Sequence, residues 1–270
     1  MKPSAAELMK GFVTYEFPER KEVNLNAKDK LIVALDVALP EQARKLVAEL
    51  RDLVGMFKIG SQLFTSAGPA LVKEIVGSGA RVFLDLKFHD IPNTVAAAAQ
   101  AVTQLGVSMF NVHASGGVEM MRRAIGSTSE TAQREGLVRP RLIAVTALTS
   151  VDRTTLSQIG IASSPEEWVL RLARLAEHSG LDGVVASPQE AQSIRSLATQ
   201  REASAAKPEF LIVTPGVRPA GANPDDQKRI ATPAAALLAG ADYLVIGRPI
   251  TGAKNPAEAT NTILAEMKKA

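Results

Sequence analysis

Cysteine is absent from all 270 residues, which excludes disulfides and thiolate metal centres and fits a reducing compartment. Also missing is any apolar run near the ~20 residues that a membrane-spanning helix needs. The first 26 residues scatter Glu7, Lys10, Glu16, Glu19, Arg20, Lys21 and Glu22 among their apolar positions, which is not the pattern of a secretory signal. Charge of one sign is scarce as well, since 31 Lys and Arg face 28 Asp and Glu for a net +3. So small a surplus gives no grounds for nucleic acid or a membrane as partner, although a pI near 9.2 mildly favours small anionic ligands. What is present is apolar: 46% hydrophobic residues against 22% charged, with mean hydropathy +0.06. That composition excludes a disordered chain and supplies a sizeable core. A soluble, cytoplasmic domain of enzyme size is expected.

Eight short apolar runs recur along the chain: Leu31 to Leu35, Val54 to Ile59, Val82 to Leu86, Val107 to Val112, Leu142 to Val145, Leu181 to Ala186, Phe210 to Val213 and Tyr243 to Ile246. Most are continuous in Val, Ile, Leu and Phe, as in parallel strands covered on both faces. Helix-like stretches lie between them. After Pro40, the residues Leu46, Leu50 and Leu53 form one stripe. Ser164-Pro165-Glu166-Glu167 reads as a capping box, with Trp168, Leu172 and Leu175 turned inward and Gly180 as the stop. Alanine-rich segments at 95–102 and 231–239 fit helices packed close to a sheet. Eight strands alternating with about eight helices point to an α/β protein, a single-domain (β/α)8 TIM barrel over residues 30–270. An open doubly wound sheet is the alternative, because periodicity does not reveal closure. Residues 1–29 form an N-terminal extension, expected to be a helical cap on the lower end of the barrel. Two connections, 149–164 and 215–230, exceed ordinary turns and are expected to be functional lids or disordered segments.

In a barrel of this kind the chemistry lies where strands give way to the following helices. Strand one there ends in Asp36, strand two carries Lys58, and strand three carries Asp85 and Lys87, with Asp90 just beyond. Asp85 and Lys87 are two apart, so in an extended strand both side chains point to the same side. Burying such charges costs several kcal/mol per ion unless opposite charges and hydrogen bonds match them. Alternatively, Asp36 and Asp90 cap helices while Lys58 and Lys87 are solvated rim charges. A metal held by two carboxylates and His89 is a third possibility, opposed by the interleaved lysines, which already supply positive charge. His89 reads as a supporting residue oriented by Asp90, His113 is undecided, and His178 is an ordinary helix-end residue. On the far side, Thr214-Pro215-Gly216-Val217-Arg218 closes strand seven and Gly247-Arg248 closes strand eight. Those two loops are the usual phosphate site of such barrels, with glycine backbone N–H groups and an arginine fork to hold it.

The run Asp85-Leu86-Lys87-Phe88-His89-Asp90-Ile91-Pro92-Asn93-Thr94 resembles the signature of the orotidine 5'-phosphate decarboxylase family. The similarity extends through Leu35-Asp36, Lys58-Ile59-Gly60, Asn111-Val112-His113-Ala114, Val145 to Ser150, Thr214 to Arg218 and Gly247-Arg248, from residue 30 to the C-terminus. The resemblance implies a carboxy-lyase that converts orotidine 5'-monophosphate to UMP, the last step of pyrimidine-nucleotide synthesis, without metal or organic cofactor. It also implies a homodimer with sites at the subunit interface. Carried over, Asp36 and Lys58 bind the ribose hydroxyls, and Lys58 also joins the charged network. Asp85 faces the substrate carboxylate, Lys87 protonates C6, and Asp90 and Thr94 reach into the partner's site. Thr149 contacts the pyrimidine, while Arg218, Gln227, Arg248 and the Gly247 N–H hold phosphate. Two rivals remain, a Mg2+-dependent barrel lyase or aldolase acting on a sugar 6-phosphate and a non-catalytic nucleotide-binding barrel.

Overall fold

The computed structural model describes residues 26–199, 210–219 and 231–270. Its frame is eight parallel strands: β1 (Leu31–Ala34), β2 (Met56–Gly60), β3 (Val82–Phe88), β4 (Met109–His113), β5 (Arg141–Val145), β6 (Gly183–Val185), β7 (Leu211–Thr214) and β8 (Tyr243–Ile246). Each pairs with the next in sequence order, and β8 pairs with β1, so the sheet closes and the open-sheet alternative falls. Every apolar run overlaps one strand, with ends displaced by two residues at most.

The strands are mostly apolar because they separate two apolar layers, and their polar residues are few. Inside the barrel pack Ile32, Ala34, Met56, Phe83, Met109, Ile143, Leu211, Val213, Tyr243 and Val245. The alternate residues, such as Val33, Phe57, Leu84, Phe110 and Ile212, join the larger layer beneath the helices. At the lower end of the barrel, the Arg141 guanidinium donates to the Tyr243 hydroxyl at 3.0 Å and sits 5.9 Å from the centre of its ring. Of the expected helical cap, residues 1–25 lie outside the described residues. The remainder is a one-turn helix, Ala27–Lys30, capped by Asn26 and running directly into β1.

The helices follow local signals, with one shift. Helix Pro40–Leu50 buries Leu46 and Leu50, while Leu53 falls in the turn beyond and is half-buried. In helix Pro165–His178 both halves of the capping box form, Glu167 N to Ser164 Oγ at 3.2 Å and Ser164 N to Glu167 Oε2 at 2.8 Å. Its buried stripe is Val169, Leu172, Ala173 and Ala176, so Trp168 and Leu175 are half-buried flanks rather than its centre. The 149–164 connection is also no plain loop. Asp152 caps a short helix, Arg153–Gln158, and buried Leu156 anchors it to the body. Of the 215–230 connection, residues 220–230 lie outside the described residues. Its stem closes where Val217 pairs with Ala231 and Arg218 N donates to Ala231 O at 3.0 Å.

Candidate active site

Three adjacent strands bring the first four charged groups to the upper mouth of the barrel. Gly60 of β2 stands opposite Asp85 of β3 in the ladder. Because Gly60 has no side chain, the Lys58 chain can run upward in front of it; a Cβ there would lie 3.0 Å from Lys58 Nζ. The ammonium so placed bridges two strands, at 2.9 Å from Asp36 Oδ1 and 3.3 Å from Asp85 Oδ2. The other Asp85 oxygen, Oδ1, takes the Lys87 ammonium at 2.6 Å. The result is a continuous relay from Asp36 through Lys58 and Asp85 to Lys87.

Burial grades the relay. The Lys58 and Asp85 side chains are 10% and 11% exposed, whereas Lys87 is 32% and Asp36 53% exposed. Burial alone would lower the Lys58 pKa, yet the charges of Asp85 and Asp36 overcome it and the net direction is upward. For Asp85 burial pushes upward, but Lys58, Lys87 and hydrogen bonds from Lys87 and Asn111 bring its carboxyl below the usual range. Both groups therefore stay ionised around neutrality, each held so by the other. Asp36 belongs to the relay and does not cap the next helix, whose N-cap is Leu39.

The β3 strand is not regular where the chemistry is densest. Its pairing with β4 shifts between Leu84 and Phe88, and Lys87 adopts φ +54°, the one non-glycine residue with positive φ among the described residues. Asp85 and Lys87 do meet, but through a bulge rather than plain alternation. The displaced Lys87 N–H donates at 2.8 Å to Asn111 Oδ1, and Asn111 Nδ2 donates at 2.7 Å to Asp85 Oδ1. Asn111 is fully buried on the inner face of β4. In the sequence Asn111 falls within the Asn111-Val112-His113-Ala114 motif, which by itself assigns it no role. A polar residue among the apolar inner residues of β4 was the available signal.

The remaining candidates divide. Asp90 and Thr94 are exposed and stand apart from the relay of their own chain, and Asp90 Oδ1 accepts the Ile91 N–H at 2.6 Å. Asp90 therefore does not orient His89. That ring instead faces His113 with centroids 5.5 Å apart, and burial, then His89 and Lys87, lower the His113 pKa. His178 is exposed, 3.1 Å from an Arg122 nitrogen. Across the mouth, Thr149 is half-buried, Arg218 buried, Gly216 buried with φ +81°, and Arg248 exposed at the start of helix Arg248–Thr251. Gly247 joins the two halves of the mouth, since a Cβ there would meet the Ala34 Cβ at 3.4 Å and Asp36 Oδ2 at 3.7 Å. Gln227 lies outside the described residues. Among the described residues no three His, Asp or Glu side chains gather as a metal site, and no helix is long and apolar enough to cross a membrane.

A closed (β/α)8 barrel with ionised groups gathered at the upper ends of neighbouring strands is the layout of a barrel enzyme. Residues 29–263 match the model of the Orotidine 5'-phosphate decarboxylase / HUMPS family, and the chain belongs to that family. Among its relatives, Orotidine 5'-phosphate decarboxylase of Moorella thermoacetica is 53% identical over 247 residues, covering 91% of this chain and 95% of the relative. The protein of the same name from Syntrophomonas wolfei is 49% identical over 91% of this chain and 100% of its own length. The crystal structure of Orotidine 5'-phosphate decarboxylase from Lactobacillus acidophilus superposes with a TM-score of 0.74 at 37% identity, covering 88% of this chain and 98% of that one.

Proposed function

We propose that this chain decarboxylates orotidine 5'-monophosphate to UMP and CO2. The observation that carries the reading is Asp85, a buried carboxylate with one oxygen on each of two lysines, at the mouth of a barrel with an apolar inner cluster. The name borne by relatives about half identical along nearly the full chain supports the same substrate.

In the proposed reaction the C6–carboxylate bond breaks, CO2 departs, and its electron pair stays at C6 in the plane of the ring. The pyrimidine π system stabilises that pair little, so the protein must do so with fixed charge in a site shielded from water. Lys87 is the group assigned to this task, its ammonium attracting the developing charge and then giving C6 a proton. Asp85 repels the substrate carboxylate and pairs more favourably with Lys87 once CO2 has left. Lys58 holds Asp85 in place and, with Asp36, binds the ribose hydroxyls. Thr149 contacts the base, and Arg218, Gln227, Arg248 and the Gly247 N–H grip the phosphate. That grip acts far from C6 and contributes binding free energy that closes the 215–230 connection over the substrate. Asp90 and Thr94 are assigned to the site of a second subunit in a homodimer, which accords with their exposure and with neither bonding to the relay of its own chain.

The test is a spectrophotometric assay with orotidine 5'-monophosphate in the presence of a strong chelator. Loss of substrate absorbance with release of UMP is the expected result. Turnover lost to the chelator and restored by Mg2+, or UMP binding with no CO2 released, would overturn the reading.

A further inference from the structure

Lys87 combines two conditions that seldom coexist. It is a β-strand residue with a long side chain, and its backbone lies in the left-handed region, at φ +54°. For a non-glycine residue that conformation is strained, and it persists only where the surroundings over-determine it. The bulge removes the Lys87 N–H from the β3–β4 ladder, so no backbone partner over-determines it there. A side chain does. Asn111 Oδ1 receives that N–H at 2.8 Å, while Asn111 Nδ2 reaches Asp85 Oδ1 at 2.7 Å.

We infer that Asn111 is a positioning residue of the reaction, a single buried amide that sets both the backbone turn aiming the Lys87 ammonium and the face Asp85 presents to it. The inference rests on the proposed decarboxylation for its kinetic consequence. An amide suits this place because it offers one acceptor and one donor on a rigid plane, which the N–H and the carboxylate respectively require. A carboxylate would satisfy the N–H but oppose Asp85. An apolar side chain would satisfy neither and would leave a buried N–H without a partner. With Asn111 and Lys87 Nζ both on Oδ1 and Lys58 Nζ on Oδ2, Asp85 has no freedom to rotate away.

Asn111→Asp provides a readout that a purely structural role would not move. Protonated, the new carboxyl donates one O–H and keeps one acceptor, reproducing the amide; ionised, it repels Asp85. The groups around it are Asp85 and Lys87 on β3, Lys58 beyond Asp85, and His113 further along β4 facing His89; β5 presents apolar Ile143 at the paired position. Two adjacent carboxyls titrate as a pair, with one step displaced upward. The kcat ratio of Asn111→Asp to wild type, which carries the same histidines, should therefore fall as pH rises between about pH 5 and about pH 9. Asn111→Ala should lose about 100-fold in kcat at every pH, the usual consequence of misplacing a reacting group by about 1 Å, while KM changes much less. A crystal structure of Asn111→Ala should show Lys87 out of the left-handed region and its ammonium off Asp85. A flat Asn111→Asp ratio, or an Asn111→Ala protein with undiminished kcat, would overturn the inference. If wild type fails to turn over orotidine 5'-monophosphate, the proposed function falls by itself, and the Lys87 backbone in the Asn111→Ala crystal still decides the role of Asn111.

Discussion

Replacing Asp85 by Asn removes one negative charge from between two ammoniums while leaving the shape of the side chain nearly unchanged. Lys58 then faces Asp36 alone, at 2.9 Å, and burial pulls its pKa down. Breaking a buried pair from one side costs about 3–5 kcal/mol. Two features place this case at the lower end, about 3 kcal/mol. Asp36 remains beside Lys58, and the Lys87 side chain, about a third exposed, regains water. With about 2.1 cal/mol/K of unfolding entropy per residue over 270 residues, Tm should fall by about 5 °C. Asp36→Asn, at a half-exposed site, should cost about 1 kcal/mol or less. The pH dependence has a definite sign. The folded-state pKa of Asp85 lies below its unfolded value, so its contribution is complete above the unfolded pKa and fades as pH falls through the folded one. The stability gap between wild type and Asp85→Asn should hold from neutrality to about pH 5 and narrow below about pH 4. Denaturant unfolding followed by circular dichroism and by Trp168, the single tryptophan, measures it. Equal stability at neutral pH, or a gap that widens on acidification, would refute this account of the relay.

Lys87→Ala should lower kcat by at least about 10⁴-fold, through combined loss of the proton donor and the countercharge. UMP binding by calorimetry should survive, and near-normal turnover would remove Lys87 from its role. Arg248→Ala should reduce kcat/KM about 10- to 100-fold, the worth of a charged hydrogen bond to phosphate, chiefly through KM. A truncated substrate lacking phosphate should not distinguish that variant from wild type. Mixing Asp90→Ala with Lys87→Ala should restore activity through hybrid dimers, each with one intact composite site, up to about a quarter of wild type for random exchange in a symmetric dimer. Confirmed subunit exchange without recovery would argue against a shared site.

Much of this was open to a reader of the chain alone. Apolar runs mark the eight strands because burial on both faces demands continuous Val, Ile, Leu and Phe, a requirement written locally. The capping box at Ser164 and the helix start at Pro40 are local for the same reason. Asp36, Lys58, Asp85 and Lys87 stand out because charge at the end of an apolar strand is costly unless it is used. Other features depend on residues distant in sequence. Whether β8 returns to β1, how Gly60 clears the path of Lys58, and why Lys87 takes a left-handed backbone are matters of register between strands. The role of Asn111 is of the same kind, because its two hydrogen bonds reach 24 and 26 residues back along the chain. Hydrophobic periodicity is a property of neighbours in sequence and so determined the elements and their order. Electrostatic partnership is a property of neighbours in space, and only the closed barrel decided which charge would meet which.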